Sequence, residues 1–253
     1  MKVDLNCDMG ESFGMYELGN DEGMMPYITS ANIACGYHAG DPTIMRKTIE
    51  LAKEHNVQIG AHPSFPDLMG FGRRHMNCTA SEIKDYVLYQ LGALREFARA
   101  NGVPIAHCKP HGALYMMAME DEKVAKAILE GIAKTDDNMI VFAMNNSAVV
   151  EVGEKMGVRV AKETYSDREH TETGSIIMTR KGSEIGDYDS MADRVVRMVK
   201  EGKVTAHTGN DADVIAETVC IHGDTPGAVK LAKTVHEKLT HNGVEVAPIQ
   251  NIL

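Results

Sequence analysis

Seven short apolar runs, separated by stretches with helical periodicity, constrain this chain more than any other feature. They are Val3–Asp8, Asn32–Cys35, Gln58–His62, Ile105–His111, Met139–Met144, Arg159–Thr164 and Thr218–His222. Several, such as IVFAM and TVCIH, are nearly continuous in apolar residues, the pattern of strands covered on both faces. Helix signals fill the gaps. Asp41-Pro42 reads as an N-cap followed by proline in the first turn. Thr79 with Glu82 fits a capping box, and Asn101-Gly102 is a stop signal for the helix between them. Further stripes are Val124/Ile128/Leu129/Ile132, Val149/Val152/Met156 ended by Gly157, and Met191/Val195/Met198/Val199. Thr225-Pro226 is expected to open the last helix and Asn242-Gly243 to close it. Repeated strand–helix units imply parallel strands with right-handed crossovers. Seven of them suggest a closed or nearly closed α/β barrel, with a doubly wound open sheet as the second choice. The pattern is least regular from Ser166 to His207, where Gly174–Thr179 and Lys203–Thr208 could form a small extra sheet or arm.

Length agrees with the barrel. The chain has 253 residues, and a single α/β barrel typically takes about 250. Two smaller domains would also fit, but no linker, internal repeat or low-complexity segment marks a boundary, so residues 1–253 are read as one domain. At 43% hydrophobic and 25% charged residues, the chain can fill a sizeable core. Its net charge of −10, without a basic cluster, argues against nucleic acid and anionic membranes as partners. No apolar run approaches the roughly 18 residues of a membrane span, and MKVDLNCDMGE lacks the apolar stretch of a signal peptide. The cytoplasm is therefore the expected compartment. The five cysteines, an odd number with no CxxC pair, are read as reduced and partly buried.

Function is signalled where the strands end. In a parallel barrel the C-terminal ends of the strands build the active site. The first run ends Asn6-Cys7-Asp8 and continues to Glu11. The second runs into Gly36-Tyr37-His38. The third ends His62-Pro63-Ser64, the fourth Lys109-Pro110-His111-Gly112. The sixth passes Glu163-Thr164 to Asp167-Arg168, and the seventh ends His222-Gly223-Asp224. Each residue alone has an ordinary explanation: a satisfied structural histidine, a helix cap, a solvated loop. Together they would bring several histidines and carboxylates, a lysine and an arginine to one mouth, where buried charge must be paired or used.

Several chemistries fit such a mouth. Asp8, His38 and His62 could hold a divalent metal that activates water, although HExxH is absent. Without a metal, a histidine or carboxylate could serve as general base. Lys109 could stabilise an oxyanion, and Arg73, Arg74 and Arg168 could clamp a carboxylate or phosphate. There is no GxxxxGK[ST], GxSxG or GxGxxG sequence, so neither a P-loop, a serine-hydrolase elbow nor a dinucleotide fold is indicated.

The stretches DLNCDMGESFG, ANIACGYHAGDP, IGAHPSFPDLMGFGRR, KPHGALY and IHGDTPGAV together resemble the LamB/YcsF family, in order and across nearly the whole chain. The resemblance implies a distorted (β/α)7-type TIM-like barrel related to the glycoside hydrolase/deacetylase fold. It also implies ATP-dependent hydrolysis of 5-oxoproline, a lactam, to L-glutamate. The chain would act as the A subunit of a multi-subunit 5-oxoprolinase with B and C partner subunits, with ATP and Mg as cosubstrate of the complex. On this basis Asp8, His38, His62, Lys109 and His111 are assigned to catalysis. Asn6, Glu11, Arg73, Arg74, Asp167, Arg168, His222 and Asp224 are assigned to substrate binding. One stretch, KETYSDREH, departs from the family's EGFADRxY pattern but keeps Asp167 and Arg168. The alternatives are a metal-dependent, deacetylase-like hydrolase and a non-catalytic lactam-binding partner subunit.

Overall fold

The computed structural model of the chain describes residues 1–136, 138–177, 187–224 and 226–253. Its strands are β1 (Lys2–Met9), β2 (Ser30–Ala34), β3 (Gln58–His62), β4 (Ile105–Cys108), β5 (Ile140–Met144), β6 (Val160–Tyr165), β7 (Lys203–Thr205), β8 (Asp211–Asp213), β9 (Thr218–Cys220) and β10 (Glu245–Val246). Its helices are α1 (Asp21–Met24), α2 (Pro42–Glu54), α3 (Ala80–Asn101), α4 (Gly112–Glu120), α5 (Glu122–Ala133), α6 (Ala148–Met156), α7 (Tyr188–Glu201) and α8 (Ala228–His241). Strands β1 to β6 lie side by side in parallel, and β9 pairs with both β6 and β1. The sheet is thus a closed seven-stranded barrel, not the open sheet. β10 adds to β1 from outside the ring.

Local chemistry sets the helix ends. Asp41 Oδ1 accepts from the Thr43 and Ile44 amides at the start of α2. Both bonds of the Thr79–Glu82 capping box are formed at α3, and Gly102 ends it. The last helix starts at Ala228, behind Gly227; the expected cap Thr225 lies outside the described residues. The expected fourth strand was too long. β4 stops at Cys108, because Pro110 has no amide to give to a ladder and α4 begins at Gly112. The extra sheet exists with a different partner: β7 pairs antiparallel with β8. The stretch from Gly174 instead makes a bridge between His170 and Ile176, and Met178 and Thr179 lie outside the described residues. Within those described, no helix is long and apolar enough to cross a membrane, and all five cysteines are free thiols.

The strands are buried on both faces, but the two faces differ in kind. On β1, Val3, Leu5, Cys7 and Met9 join the main apolar core, while the alternate residues Asp4, Asn6 and Asp8 take polar partners across the barrel. Asp4 accepts from Ser30 at 2.6 Å, Thr29 at 2.7 Å and Thr218 at 2.5 Å. Asn6 donates to Glu163 at 3.0 Å and Thr218 at 2.7 Å, and accepts from Asn32 at 2.8 Å. The lumen is therefore a hydrogen-bonded ladder. Near its base the His107 ring stacks on Phe142 with centroids 4.4 Å apart. A Cβ at Gly60 would lie 2.2 Å from that imidazole, so the neighbouring strand has no room for a side chain there. Ile140, Phe142, Ala161 and Ile249 form a separate apolar cluster, placing the 3₁₀ turn Ile249–Asn251 against the starts of β5 and β6.

Asp4 gives this ladder a pH dependence. Burial, only partly offset by its three hydroxyl donors, raises its carboxyl from 3.8 to about 6. The native state therefore holds this proton more tightly than the unfolded chain does. Stability from this group falls as pH rises from about 4 to about 6 and stays lower above that, by about 3 kcal/mol. Asp4→Asn should remove that slope, so that the variant gains on the wild type between pH 4 and pH 7 in urea unfolding. Parallel stability profiles for the two proteins would show that Asp4 does not titrate in this window.

Candidate active site

At the C-terminal ends of the barrel strands lies a cavity of about 50 Å³. Its walls include Asp8, Glu11, His62, Arg73, Lys109, His111, Tyr115, Tyr165, His222 and Asp224. Of the residues expected at a site, the structure brings eight to this wall. His38 sits directly behind it. Asn6 lies deeper in the lumen. Asp167 and Arg168 stand behind His222. Arg74 does not take part: it is 67% exposed and paired with Asp67 on the outside of its loop.

The floor of the cavity is ionic. Lys109 Nζ lies 3.2 Å from Asp8 Oδ1 and 2.9 Å from Glu163 Oε1. It also reaches Asn6 Oδ1 at 3.3 Å and Cys220 Sγ at 3.1 Å. Burial alone would lower the Lys109 pKa, but Asp8, Cys220 and Glu163 outweigh it and hold the ammonium firmly charged. Burial would likewise raise Asp8; His62 and Lys109 overcome it and keep that carboxylate well below its usual range. Glu163 accepts from the hydroxyls of Tyr115 at 2.8 Å and Tyr165 at 2.7 Å. Lys109 therefore arrives already matched by two carboxylates, and its charge organises the floor. The cation on the cavity wall nearest solvent is Arg73, 3.5 Å from Asp224.

One wall carries a histidine–carboxylate dyad. His222 Nδ1 donates to Asp167, with 3.0 and 3.1 Å to its two oxygens, and Arg168 Nη1 bonds the same carboxylate at 2.8 Å. Burial would raise Asp167, but His222 and Arg168 bring it below the ordinary range. With Nδ1 so engaged, Nε2 is the nitrogen left for the cavity that His222 lines.

The opposite wall is a cluster of three histidines and Glu11. His62 Nδ1 is 2.6 Å from the Lys109 carbonyl, and His111 Nε2 is 2.9 Å from the Phe71 carbonyl. The inner nitrogens, His62 Nε2 and His111 Nδ1, face each other at 2.9 Å. Glu11 Oε1 lies 3.0 Å from His38 Nε2, 3.4 Å from His111 Nδ1 and 3.9 Å from His62 Nε2. Burial, then Asp8, raises Glu11 to about 8. Burial also lowers His38 and His111, aided by the neighbouring histidines. The loop after β3 fits closely over the cluster at Gly72, whose φ is +65° and where a Cβ would lie 2.9 Å from both His38 and His111. The donors expected to share a metal do not fall into one group. His38 and His62 converge with Glu11 and His111, whereas Asp8 converges with Cys220 and His222, around the space that the Lys109 ammonium already occupies.

Asn32, Tyr115, Glu163, Tyr165 and Cys220 were not among the expected site residues. Asn32 on β2 and Glu163 and Tyr165 on β6 fall at alternate strand positions, a period-two signal, whereas Tyr115 on α4 carries none. That signal was masked where strands read as continuous apolar runs.

The LamB/YcsF family model matches residues 3–253. The A subunit of 5-oxoprolinase from Pyrococcus abyssi is 50% identical over 254 residues, covering 100% of both chains. Its counterpart from Alkaliphilus metalliredigens is 50% identical over 253 residues, covering 100% of this chain and 99% of its own. Among solved structures, the lactam utilization protein from Thermus thermophilus superposes with a TM-score of 0.92 at 43% identity, covering 98% of this chain and 99% of its own. A family 4 carbohydrate esterase from Streptomyces lividans shares the fold with a TM-score of 0.53 at 10% identity, covering 99% of this chain and 95% of its own.

The ionic floor makes a prediction that needs no substrate. Removing one member of a buried charge group leaves the others uncompensated, at a cost of about 3–5 kcal/mol. Lys109 is 3% exposed, so Lys109→Met should lower the melting temperature of the isolated chain by roughly 10 °C. Glu163→Gln, which retains acceptor capacity, should cost less. A Lys109→Met melting temperature equal to wild type would show that Asp8 and Glu163 do not depend on this cation.

Proposed function

The chain belongs to the LamB/YcsF family, and from that premise we propose that it is the A subunit of a 5-oxoprolinase. With B and C partner subunits, and with ATP and Mg as cosubstrate, it opens the ring of 5-oxoproline to L-glutamate. The observation that carries this reading is the acid–base cavity at the barrel mouth in a chain half identical, over its full length, to proteins named as A subunits of 5-oxoprolinase. A volume of about 50 Å³ suits a small solute better than a drug-sized ligand, whose pockets span roughly 300–1,000 Å³.

The cavity's groups suit hydrolysis of a cyclic amide. Arg73 is placed to hold the substrate carboxylate. His222, oriented by Asp167, takes the proton of the attacking water and returns one to the ring nitrogen as the C–N bond breaks, the two duties of a base backed by a buried carboxylate. Asp8 is too weakly basic for that transfer and instead orients the water. ATP is needed because the released amine stays tethered beside the new carboxylate. Effective molarities for such closures reach about 10⁵ M or more, so opening is coupled to ATP cleavage: the γ-phosphoryl passes to the lactam oxygen as ADP leaves, and is released as phosphate once water has added.

The test mixes the chain with its B and C partners, 5-oxoproline, ATP and Mg²⁺, follows glutamate and phosphate, and repeats the assay with each protein alone. Glutamate matched by phosphate, and only from the full mixture, is expected. His222→Ala should lower kcat about 10²–10⁴-fold, and Arg73→Ala should act mainly on KM. No glutamate from folded components would overturn the lactam reading in favour of a deacetylase-like hydrolase. Undiminished turnover in His222→Ala would leave this chain a lactam-binding partner whose cavity does no chemistry.

A further inference from the structure

We propose that Glu11, His62 and His111 hold one divalent transition-metal ion of the zinc class at the cavity wall, with His38 as outer support for Glu11. Carbonyl oxygens only accept, so His62 Nδ1, 2.6 Å from the Lys109 carbonyl, carries a proton. The same holds for His111 Nε2, 2.9 Å from the Phe71 carbonyl. In the neutral rings the inner nitrogens, His62 Nε2 and His111 Nδ1, are then both bare lone pairs, and they stand 2.9 Å apart. Two lone pairs so close require a cation: a proton on His62 Nε2, which Asp8 Oδ2 also faces at 3.4 Å, or a metal ion.

Spacing favours a metal in that role. The three donor atoms form a triangle with edges of 2.9, 3.4 and 3.9 Å. Tetrahedral donors at about 2.0–2.1 Å from zinc are roughly 3.3–3.4 Å apart, in the middle of that range. A point about 2 Å from all three atoms lies close to their plane. Histidines that bind metals usually give their outer N–H to a carbonyl or carboxylate, and both of these do. Two histidines and a glutamate leave a coordination position open, as catalytic zinc sites do, and all three residues line the cavity.

The fourth histidine separates from the other donors by geometry. The His38 ring stacks on His111 with centroids 3.8 Å apart and planes 5° from parallel. An ion in the plane of one ring lies well outside the plane of the other, so both cannot be good ligands. His38 does not line the cavity, and its Nε2 is 3.0 Å from Glu11 Oε1, the position of a residue that orients a ligand. Glu11 sits beside the Asp8 carboxylate with Asp224 also acting on it, opposed by His62 and Arg73, and a bound cation would add to that opposition. Binding places the ion on the two bare nitrogens and the glutamate, and releases the Glu11 carboxyl proton, with any proton held between the histidines, to solvent. A bound ion would supply Lewis acidity beside the floor formed by Asp8 and Lys109.

This proposal rests on the cluster and not on the lactam reading, and its test involves no turnover. The full chain is stripped with a chelator, shown to remain folded by circular dichroism, and titrated with Co²⁺. Uptake is followed by visible absorption and by metal analysis after desalting. One equivalent is expected, with the visible bands of a low-coordinate cobalt site, displaced by Zn²⁺. His62→Ala and His111→Ala should abolish the bands. His38→Ala should keep the bands but weaken affinity roughly 10–100-fold, and His241→Ala on the surface should change nothing. No uptake by folded wild type would overturn the proposal and leave the inner nitrogens sharing a proton only. So would uptake that survives His62→Ala and His111→Ala. Metal bound without any lactam turnover would sink the functional reading while leaving this one standing.

Discussion

Between Asp8 and Glu163, the Lys109 ammonium holds two buried carboxylates together across the barrel, and the surrounding polar lumen is arranged to make that pairing tolerable. Charges taken out of water are costly unless their remaining hydrogen-bonding capacity is filled. Here two tyrosine hydroxyls and two asparagine amides do so. The closed ring of parallel strands supplies the geometry: β1 turns its apolar residues toward the helices and a polar series inward, while β5 is apolar throughout. The outer face makes the fold stable, and the inner face carries a charged column up to the mouth.

At the mouth the column divides the cavity into two chemically different walls. The wall from β9 and the turn after β6 holds an imidazole in a fixed tautomer against a deeply buried carboxylate. The wall from the ends of β3 and β4 and the loop after β1 packs imidazoles against one another with a single glutamate. The first suits moving a proton to and from a reacting atom. The second suits holding a cation. Asp8, 3.4 Å from His62 and 3.2 Å from Lys109, is the group that touches both systems.

Much of this could be read from residue order. Nearly continuous apolar runs and capping signals such as Thr79–Glu82 and Asp41-Pro42 located the barrel strands and α2 and α3, because those signals act within a few residues. Most of the cavity wall was legible for a similar reason: chemistry-bearing side chains fall at the ends of parallel strands. What escaped was set by contacts between distant parts of the chain. Glu163 and Asn32 become site residues only through Lys109 and Asn6, and Tyr115 only through Glu163. Arg74, next to Arg73, points away because Asp67 captures it. α4 was hidden because GALYMMAME is apolar almost all round and shows no stripe. β10 has only two residues and exists through its pairing with β1.

That last pairing bears on how the molecule is assembled. β1 is the most heavily paired strand in the fold, flanked by β2, β9 and β10. Two of those three neighbours come from the far end of the described chain. While the chain is being synthesised, β1 can find β2 early but must wait with its other edge open until β9 and β10 emerge. An open edge next to the residues of a polar lumen is both a slow, non-local closure and an invitation to mispairing. The charged column that serves the finished mouth also guards this interval, because Asp4, Asn6 and Asp8 make the unfinished edge a poor template for apolar aggregation.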